Sequence, residues 1–197
     1  MTLKRFLVLG IGNAQVDLLR WLKADGRFLV YALSNTEEGR GREYTDVFAL
    51  IDITDRESVL EYVRANDIDY IYSVGSDVAM PTVAWVAAQA KLPTLVSANT
   101  AEICNHKGKM RDFLSGCYGQ VPFQRVVTNV KLPELPLPWI VKPVDSQGQR
   151  GVSTVNALDE WSAAFNFAVG YSRAEEVIVE RKIDGSEISV NTFSVDG

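Results

Sequence analysis

The sequence is short of the side chains that most often carry out acid–base and redox chemistry. It has one histidine, His106, and two cysteines, Cys104 and Cys117, in 197 residues. A single histidine argues against a His-rich zinc site, and the absence of a Gly-x-Ser-x-Gly element argues against a Ser-His-Asp hydrolase. The cysteines fit neither a metal spacing nor a secreted disulfide framework. We therefore expect no metal site in this stretch, reduced thiols and a cytoplasmic protein.

Long apolar runs and an excess of positive charge are also missing. No run approaches the ~20 residues that span a bilayer, and no signal-peptide pattern precedes the first predicted strand. The net charge of −5 argues against a protein that binds nucleic acid by neutralising phosphates. We expect neither a membrane nor a nucleic acid as a partner.

The first half of the sequence alternates between strand-like and helix-like patterns. Short apolar runs of strand length are separated by segments with helical periodicity, and the predicted strands are residues 5–9, 28–33, 47–51, 70–74 and 92–96. Thr54 and Glu57 form a capping-box pattern, which predicts a helix that begins at Thr54. This alternation predicts a parallel sheet with helices on both faces, in an α/β fold of the Rossmann-like kind.

Ligands of such sheets collect at the carboxyl ends of the strands. Four residues there are candidate contacts to a substrate: Gly12, Asn13, Ser76 and Asp77. Asp77 has an alternative role, because an acidic side chain also suits the first turn of a helix without binding any ligand.

The turn after the first strand also resembles the opening of a dinucleotide-binding fold. Gly10 and Gly12 match the first two glycines of Gly-x-Gly-x-x-Gly, but Gln15 replaces the third. The second strand ends in Ser34-Asn35, where an NAD enzyme usually carries an acidic residue. An NAD(P)-binding oxidoreductase therefore stays open as an alternative, and close turn geometry is the simpler explanation of the glycines.

The pattern changes near residue 100. A helix is predicted over residues 105–114, with Asn105 near its N-cap and Lys107 and Arg111 on one face. Further predictions are strands at 121–128, 139–143 and 177–180, a helix at 158–169, and a strand at 188–195 after Gly185-Ser186-Glu187. Asp196-Gly197 is a hairpin signal with no following strand. We therefore expect the chain to be the N-terminal part of a longer protein.

Lys142 ends an apolar run and is followed by Pro143 and a polar loop that contains Gly148 and Gly151. Glycines allow backbone amides to converge on an anion, and the lysine adds a cation. The pattern predicts either a phosphate-covering loop or an ordinary hairpin loop with a solvated lysine, and this stretch alone does not separate the two.

Four motifs in order resemble an ATP-grasp domain. They are Lys107 ahead of Met110-Arg111, Lys142-Pro143 before the loop 145–151, the apolar strand that ends in Glu180, and Gly185-Ser186-Glu187. The first half resembles the domain that precedes it in biotin carboxylase and the carbamoyl-phosphate synthetase large subunit. One departure is His106, where many relatives have aspartate. The resemblance implies a Rossmann-like domain over 1–103 and the N-terminal part of an α+β ATP-grasp domain over 104–197.

The resemblance also implies an ATP site. The residues implied to bind ATP are Lys107, Lys142, Asp145, Ser146, Gln147, Gly148, Gly151, Glu180, Arg181, Ile183 and Glu187. The lysines would bind phosphates, the loop would cover them, Glu180 to Ile183 would contact adenine, and Glu187 would bind the ribose.

The implied activity is an ATP-dependent carboxylate–amine ligase, or carboxylate–thiol ligase, that forms an acyl phosphate. Magnesium ligands are expected beyond residue 197, so we expect the 197-residue chain alone to be inactive. The implied partners are a small carboxylate and a small amine, with a homodimer as a possible assembly. A non-catalytic nucleotide-binding relative is the second alternative.

Overall fold

A computed structural model of the chain describes residues 2–190. Contacts within the chain divide it between Phe113 and Leu114 into two compact units. The boundary expected from the sequence, after residue 103, lies inside the helix Ala98–Asn105 of the first unit.

The first unit contains a four-stranded parallel sheet and five α-helices. In chain order these elements are β1 (Lys4–Leu9), α1 (Val16–Asp25), β2 (Phe28–Ser34), β3 (Val47–Leu50), α2 (Arg56–Ala65), β4 (Tyr70–Tyr72), α3 (Met80–Ala90), α4 (Ala98–Asn105) and α5 (Lys107–Phe113). The strand order is β3-β2-β1-β4, and every pairing is parallel. The predicted parallel α/β sheet is confirmed.

Helices cover both faces of this sheet, because alternate strand residues point to opposite sides. On one face, Leu19 and Leu22 of α1 pack against buried residues of β1 and β2. On the other face, Leu7 and Leu9 of β1 pack in one cluster with residues of α2 and α3. The helices therefore cover the two faces of the sheet, and the loops that follow the strands lie at its carboxyl edge.

The predicted strand over 92–96 is wrong. Pro93 has no amide hydrogen to donate to a ladder, and the Thr94 hydroxyl both donates to the Val96 carbonyl (2.9 Å) and accepts from the Val96 amide (3.3 Å). Local hydrogen bonds of this kind compete with strand pairing. Among the described residues, β4 therefore pairs only with β1.

Two predicted helix starts are also corrected. Asp55 is the N-cap of α2 and accepts from the Ser58 amide at 3.2 Å, whereas the Thr54 hydroxyl donates to Asp52. The helix predicted over 105–114 is two helices that are separated at His106. His106 Nδ1 accepts from the Lys109 amide at 3.2 Å, so the imidazole caps α5.

The described part of the second unit, up to residue 190, is an antiparallel sheet with one α-helix packed on it. Its elements are β5 (Phe123–Val126), β6 (Trp139–Pro143), β7 (Ser153–Val155), α6 (Trp161–Val169) and β8 (Val177–Arg181). The strand order is β5-β8-β6-β7. A 3-10 turn, Leu158–Glu160, precedes α6 where the sequence predicted helix throughout. Of the predicted strand over 188–195, only 188–190 are described, and they form no strand.

The two tryptophans of the second unit lie in its core, and the indole N–H of each donates a hydrogen bond to a backbone carbonyl. Trp139 Nε1 donates to the Leu135 carbonyl at 2.9 Å, and Trp161 Nε1 donates to the Asn129 carbonyl at 3.2 Å. The rings pack edge to face with centroids 5.9 Å apart. These bonds join the segment before β6 to the core of the second unit.

Among residues 2–190, no helix is long and apolar enough to cross a membrane.

Truncation of Leu7 tests the core of the first unit. Leu7 has no exposed surface, so we expect Leu7→Ala to lower the free energy of unfolding by about 2–5 kcal/mol, because it removes apolar contacts and leaves a cavity. Leu95, which is 76% exposed, is the matched control, and Leu95→Ala should change stability by less than about 0.5 kcal/mol. Urea unfolding followed by circular dichroism measures both, and equal midpoints for the two variants would contradict this core assignment.

Candidate functional site

A largely buried ion pair lies on the sheet of the second unit. Lys142 Nζ in β6 is 2.7 Å from Glu180 Oε2 in β8, and the two side chains are only 19% and 8% exposed. Charges are rarely buried without a partner, because removal from water is costly. Sequence reasoning selected both residues but did not predict that they contact each other.

The strand register explains why the two side chains meet. In the antiparallel ladder of β6 and β8, Ile140 is opposite Glu180 and Lys142 is opposite Ile178. Lys142 and Glu180 are therefore diagonal neighbours on one face, within reach of long side chains. Trp139, Val141 and Val179 point to the other face, where they pack under α6. The apolar face thus determines which face carries the pair.

The loop between β6 and β7 begins with a carboxylate that is held by backbone amides. Asp145 Oδ1 accepts from the Ser172 hydroxyl (3.0 Å) and the Arg173 amide (3.1 Å), and Oδ2 accepts from the Ala174 amide (3.0 Å). The Arg173 guanidinium donates to the Asp145 backbone carbonyl at 2.6 Å. Asp145, which the resemblance assigned to nucleotide binding, thus accepts hydrogen bonds from the turn 172–174.

The rest of the loop has the backbone geometry that its glycines permit. Gly148 and Gly151 have φ values of 64° and 71°, and Gln149 also lies at positive φ. A Cβ on Gly151 would lie 3.1 Å from atoms of Pro143 and Tyr171, so the end of the loop is closely packed. The loop closes a β-hairpin in which Val141 pairs with Ser153. Both predicted descriptions, a hairpin loop and a loop with converging amides, are compatible with this shape.

Gln147 is the unusual side chain of this loop. Its Nε2 atom is buried and has no hydrogen-bond partner within the described part of the chain. An unpaired buried donor is costly, so it marks a place where an acceptor from a ligand would fit.

The chain is mostly exposed from Arg181, the last residue of β8, onward to residue 190. The Arg181 amide donates to the Pro122 carbonyl at 3.1 Å, and the Lys182 amide donates to the Pro138 carbonyl at 2.9 Å. Ile183 is 56% exposed, and Glu187 is also exposed, in a stretch without regular structure. The candidates Arg181 and Ile183 are one and three residues after Glu180 in the sequence.

Lys107 is the one candidate for ATP binding that lies in the first unit. It is the first residue of α5 and is half-buried. Its neighbour Lys109 is 3.4 Å from Glu102, which also pairs with Arg56. The hydrogen bond from Arg56 is the main cause that lowers the pKa of Glu102. Lys109 is thus held by a carboxylate of its own unit.

The first unit brings together the loops that carry the substrate candidates Gly12, Asn13, Ser76 and Asp77. The Ser73 hydroxyl, which is buried, donates to the Leu9 carbonyl at 2.7 Å. A Cβ on Gly75, whose φ is 63°, would lie 2.8 Å from the Ala14 Cβ, so glycine is required for this close approach. The loops after β1 and β4 are therefore in contact at the carboxyl edge of the sheet.

Gln15 fills the glycine turn that resembles a dinucleotide motif. Its side-chain oxygen lies 3.1 Å from where a Cβ on Gly10 would stand, and its Nε2 donates to the Val74 carbonyl at 2.5 Å. A dinucleotide fold needs that space so that pyrophosphate can approach the backbone. The side chain of Gln15 therefore argues against NAD(P) at this turn.

Sequence reasoning missed the residues that hold these loops in place. Ser172 and Arg173 fix Asp145, and Ser73 and Gln15 join the loops of the first unit. No spacing or composition signal marks Ser73, Ser172 or Arg173, because each acts on a partner that is distant along the chain. Gln15 stood out only as the residue in place of a third glycine, which does not predict its bond to Val74.

Residues 2–190 contain no group of three or more His, Cys, Asp or Glu side chains that is arranged to hold a metal ion. The described residues therefore do not fit a magnesium site by themselves, since Mg²⁺ requires several oxygen ligands.

Comparison with known proteins gives matches over both units. Residues 121–196 match the protein family described as D-ala D-ala ligase C-terminus. Formate-dependent phosphoribosylglycinamide formyltransferase from Prochlorococcus marinus is 24% identical over 180 residues, which are 88% of this chain and 46% of that protein.

Two solved structures share the fold. L-amino acid ligase from Bacillus licheniformis has a TM-score of 0.73 and 21% identity, over 92% of this chain and 45% of that one. The second structure is the biotin carboxylase domain dimer of 2-oxoglutarate carboxylase from Hydrogenobacter thermophilus, in complex with MgADP, ADP and bicarbonate. It has a TM-score of 0.73 and 16% identity, over 93% of this chain and 45% of that one. This chain spans less than half the length of each of these three relatives.

These matches agree with the resemblance to ATP-grasp proteins that the sequence motifs predicted. The mixed fold, with a parallel sheet and a separate antiparallel sheet, agrees with these neighbours.

Replacement of Asp145 by asparagine tests whether this side chain anchors the loop. The new side chain would present an amide to at least one of the N–H groups that now donate to the carboxylate, so we expect Asp145→Asn to destabilise the chain by about 1–3 kcal/mol. We also expect faster tryptic cleavage after Arg150, in the same loop. Asp159→Asn, at an exposed position, is the control. Unchanged stability and cleavage in Asp145→Asn would contradict the anchoring role.

Proposed function

We propose that this chain is the ATP-binding part of an ATP-dependent carboxylate–amine ligase that acts through an acyl phosphate, as carbamoyl-phosphate synthetase-like enzymes do. The observation that carries the proposal is the buried pair of Lys142 and Glu180 beside a glycine-containing loop. The match of residues 121–196 to the D-ala D-ala ligase C-terminus family, with the fold shared with an L-amino acid ligase, supports the ATP-dependent ligase class.

The nucleotide would lie on the polar face of the second unit. Glu180 would accept a hydrogen bond from the 6-amino group of adenine, since an ionised carboxylate can accept from more than one donor. The Arg181 carbonyl and the Ile183 amide would contact the base edge, and Glu187 would accept from the ribose hydroxyls. The relative from Hydrogenobacter thermophilus was solved with ADP and MgADP, which supports an adenine nucleotide as the ligand.

The phosphates would be bound by cations and by the loop. Lysine acts on phosphate as a compact point charge with three donors, which suits both Lys142 and Lys107. Backbone amides at Ser146, Gly148 and Gly151 would add donors, since positive φ values turn successive amides toward an anion. The buried, unpaired Nε2 of Gln147 supports the fit of an anionic ligand here.

These parts suit phosphoryl transfer. A carboxylate oxygen of the substrate attacks the γ-phosphorus of ATP. The bond between the γ-phosphorus and the oxygen that bridges the β- and γ-phosphates breaks, and ADP leaves with the electron pair of that bond. An amine then attacks the acyl carbon and expels inorganic phosphate. In such a reaction the protein mainly positions the groups and stabilises their charge. Magnesium supplies further charge neutralisation in this chemistry, but the described residues do not by themselves fit a magnesium site.

The carboxyl edge of the first unit is proposed to contact the acid or the amine. Gly12 and Asn13 follow β1, and Ser76 and Asp77 follow β4, in loops that the Ser73 and Gly75 contacts hold together. The names of the relatives refer to small molecules, which supports small-molecule substrates for this protein. A homodimer is also proposed, since one relative was solved as a domain dimer.

Loss of the Lys142 cation tests the proposal. We expect Lys142→Met to weaken ATP binding by about tenfold or more, since a hydrogen bond to a charged group contributes about 1.5–3 kcal/mol. Isothermal titration calorimetry measures the affinity. Because Glu180 would lose its bond to Lys142, thermal unfolding is measured first, and the titration is run at a temperature at which the variant is folded. Lys131→Met, in an exposed loop, is the control. Equal ATP affinity of folded Lys142→Met and the unmodified chain would contradict the proposed site.

A further inference from the structure

The sequence contains the dipeptide Asp-Gly at three places, Asp25-Gly26, Asp184-Gly185 and Asp196-Gly197. Glycine has no side chain to hinder its amide nitrogen, so this nitrogen can attack the carboxyl of the preceding aspartate where the backbone is free to bend. The two pairs among residues 2–190 have the same covalent structure. Their surroundings therefore decide which of the two reacts.

The pair Asp25-Gly26 is held by the fold. Asp25 is the last residue of α1, and Gly26 is the C-cap of that helix. Asp25 Oδ2 accepts from the Arg27 guanidinium at 2.8 Å, Oδ1 accepts from the Arg27 amide at 3.3 Å, and the side chain is only 15% exposed. The hydrogen bond from the Arg27 side chain is the main cause that lowers the pKa of this carboxyl. Attack on Asp25 would require the end of α1 to open and the guanidinium to leave.

The pair Asp184-Gly185 is not held in this way. The Asp184 side chain is 91% exposed, and the ion pair that it forms, with Lys182 Nζ at 3.6 Å, is of the exposed kind that contributes little. Within residues 2–190, neither Asp184 nor Gly185 belongs to a helix or strand. A Cβ on Gly185 would have no atom within 4 Å. Segments with so few contacts change conformation at little cost in free energy.

We propose that Asp184-Gly185 is a site of spontaneous modification, at which aspartate converts to isoaspartate, and that the fold protects Asp25-Gly26 from the same reaction. The Gly185 nitrogen bonds to Asp184 Cγ, and the carboxyl hydroxyl leaves as water with the proton of that nitrogen. Water then opens the resulting succinimide ring. Attack at Cγ restores aspartate, whereas attack at the α-carbonyl breaks its bond to the Gly185 nitrogen and leaves the main chain running through Cγ. The water released in the first step balances the water consumed in the second.

This inference goes beyond the proposed ATP site and does not depend on it, but the modification has a consequence there. Isoaspartate adds one methylene to the backbone between Ile183 and Glu187, the residues proposed to contact the base and the ribose. If that assignment is right, bound ATP holds the segment and slows the closure of the ring.

Ageing of the folded chain at neutral pH and physiological temperature tests the inference. Cleavage after glutamates releases residues 181–187, which contain Asp184 as their single aspartate, and residues 1–37, which contain Asp25. Isoaspartate leaves the mass unchanged but alters the chromatographic retention of the peptide, and fragmentation locates the added methylene. After subtraction of the unaged sample, isoaspartate at Asp184 should exceed that at Asp25 several times over.

Two controls separate the effect of the fold from that of the dipeptide. Asp184→Glu keeps the charge but requires a six-membered ring, which closes more slowly, so the aged product in residues 181–187 should be lost. In denaturant, Asp25 and Asp184 should react at similar rates, because the contacts of Arg27 with Asp25 are lost. No gain of isoaspartate at Asp184, equal gain at both sites in the folded chain, or an unequal gain that persists in denaturant would each overturn the inference.

A further comparison, with and without saturating ATP, keeps this inference distinct from the proposed function. ATP should slow the reaction at Asp184. An unchanged rate in a chain that binds ATP would contradict the assignment of Ile183 and Glu187 to the nucleotide, and the modification site would stand. If the chain does not bind ATP at all, the proposed function is overturned, and the difference between Asp184 and Asp25 still decides this inference.

Discussion

The antiparallel pairing of β6 with β8 is the constraint on which the candidate site depends, because it sets which side chains share a face. The ladder places Lys142 and Glu180 as diagonal neighbours, and α6 covers the opposite face through Trp139 and Val141. A slip of one residue would turn Lys142 into the apolar core and expose its neighbours. The core of the second unit thus specifies the position of the charged pair as strictly as it specifies the fold.

The ion pair of Lys142 and Glu180 contributes little to the free energy of unfolding. The attraction between two buried charges is offset by the cost of taking them from water, and an apolar pair of similar volume is often as stable. A buried cation beside a loop with an unpaired buried donor is better explained by a ligand that uses both. The Asp145 network is different, because its carboxylate is satisfied by the turn 172–174 and its effect on a ligand is indirect.

Much of the fold followed from local patterns in the sequence. Apolar runs and helical periodicity predicted the parallel sheet. Lys142 was marked by its place at the end of an apolar run, and Glu180 by the resemblance to an ATP-grasp domain. The strand expected at 92–96 failed because Thr94 forms local hydrogen bonds that the apolar pattern does not reveal. The contacts of Gln15 with Val74 and of Asp145 with Arg173 join distant segments. Pairings of that kind arise only when the chain folds, so single-residue patterns could not predict them.

The central claim is that this chain binds an adenine nucleotide and not a dinucleotide cofactor. The most direct measurement is a pair of equilibrium titrations of the unmodified 197-residue chain, one with ATP and one with NADH, followed by calorimetry for ATP and cofactor fluorescence for NADH. The account predicts saturable binding of one ATP per chain and no binding of NADH, since Gln15 occupies the glycine turn. Tight binding of NADH with no binding of ATP would contradict it.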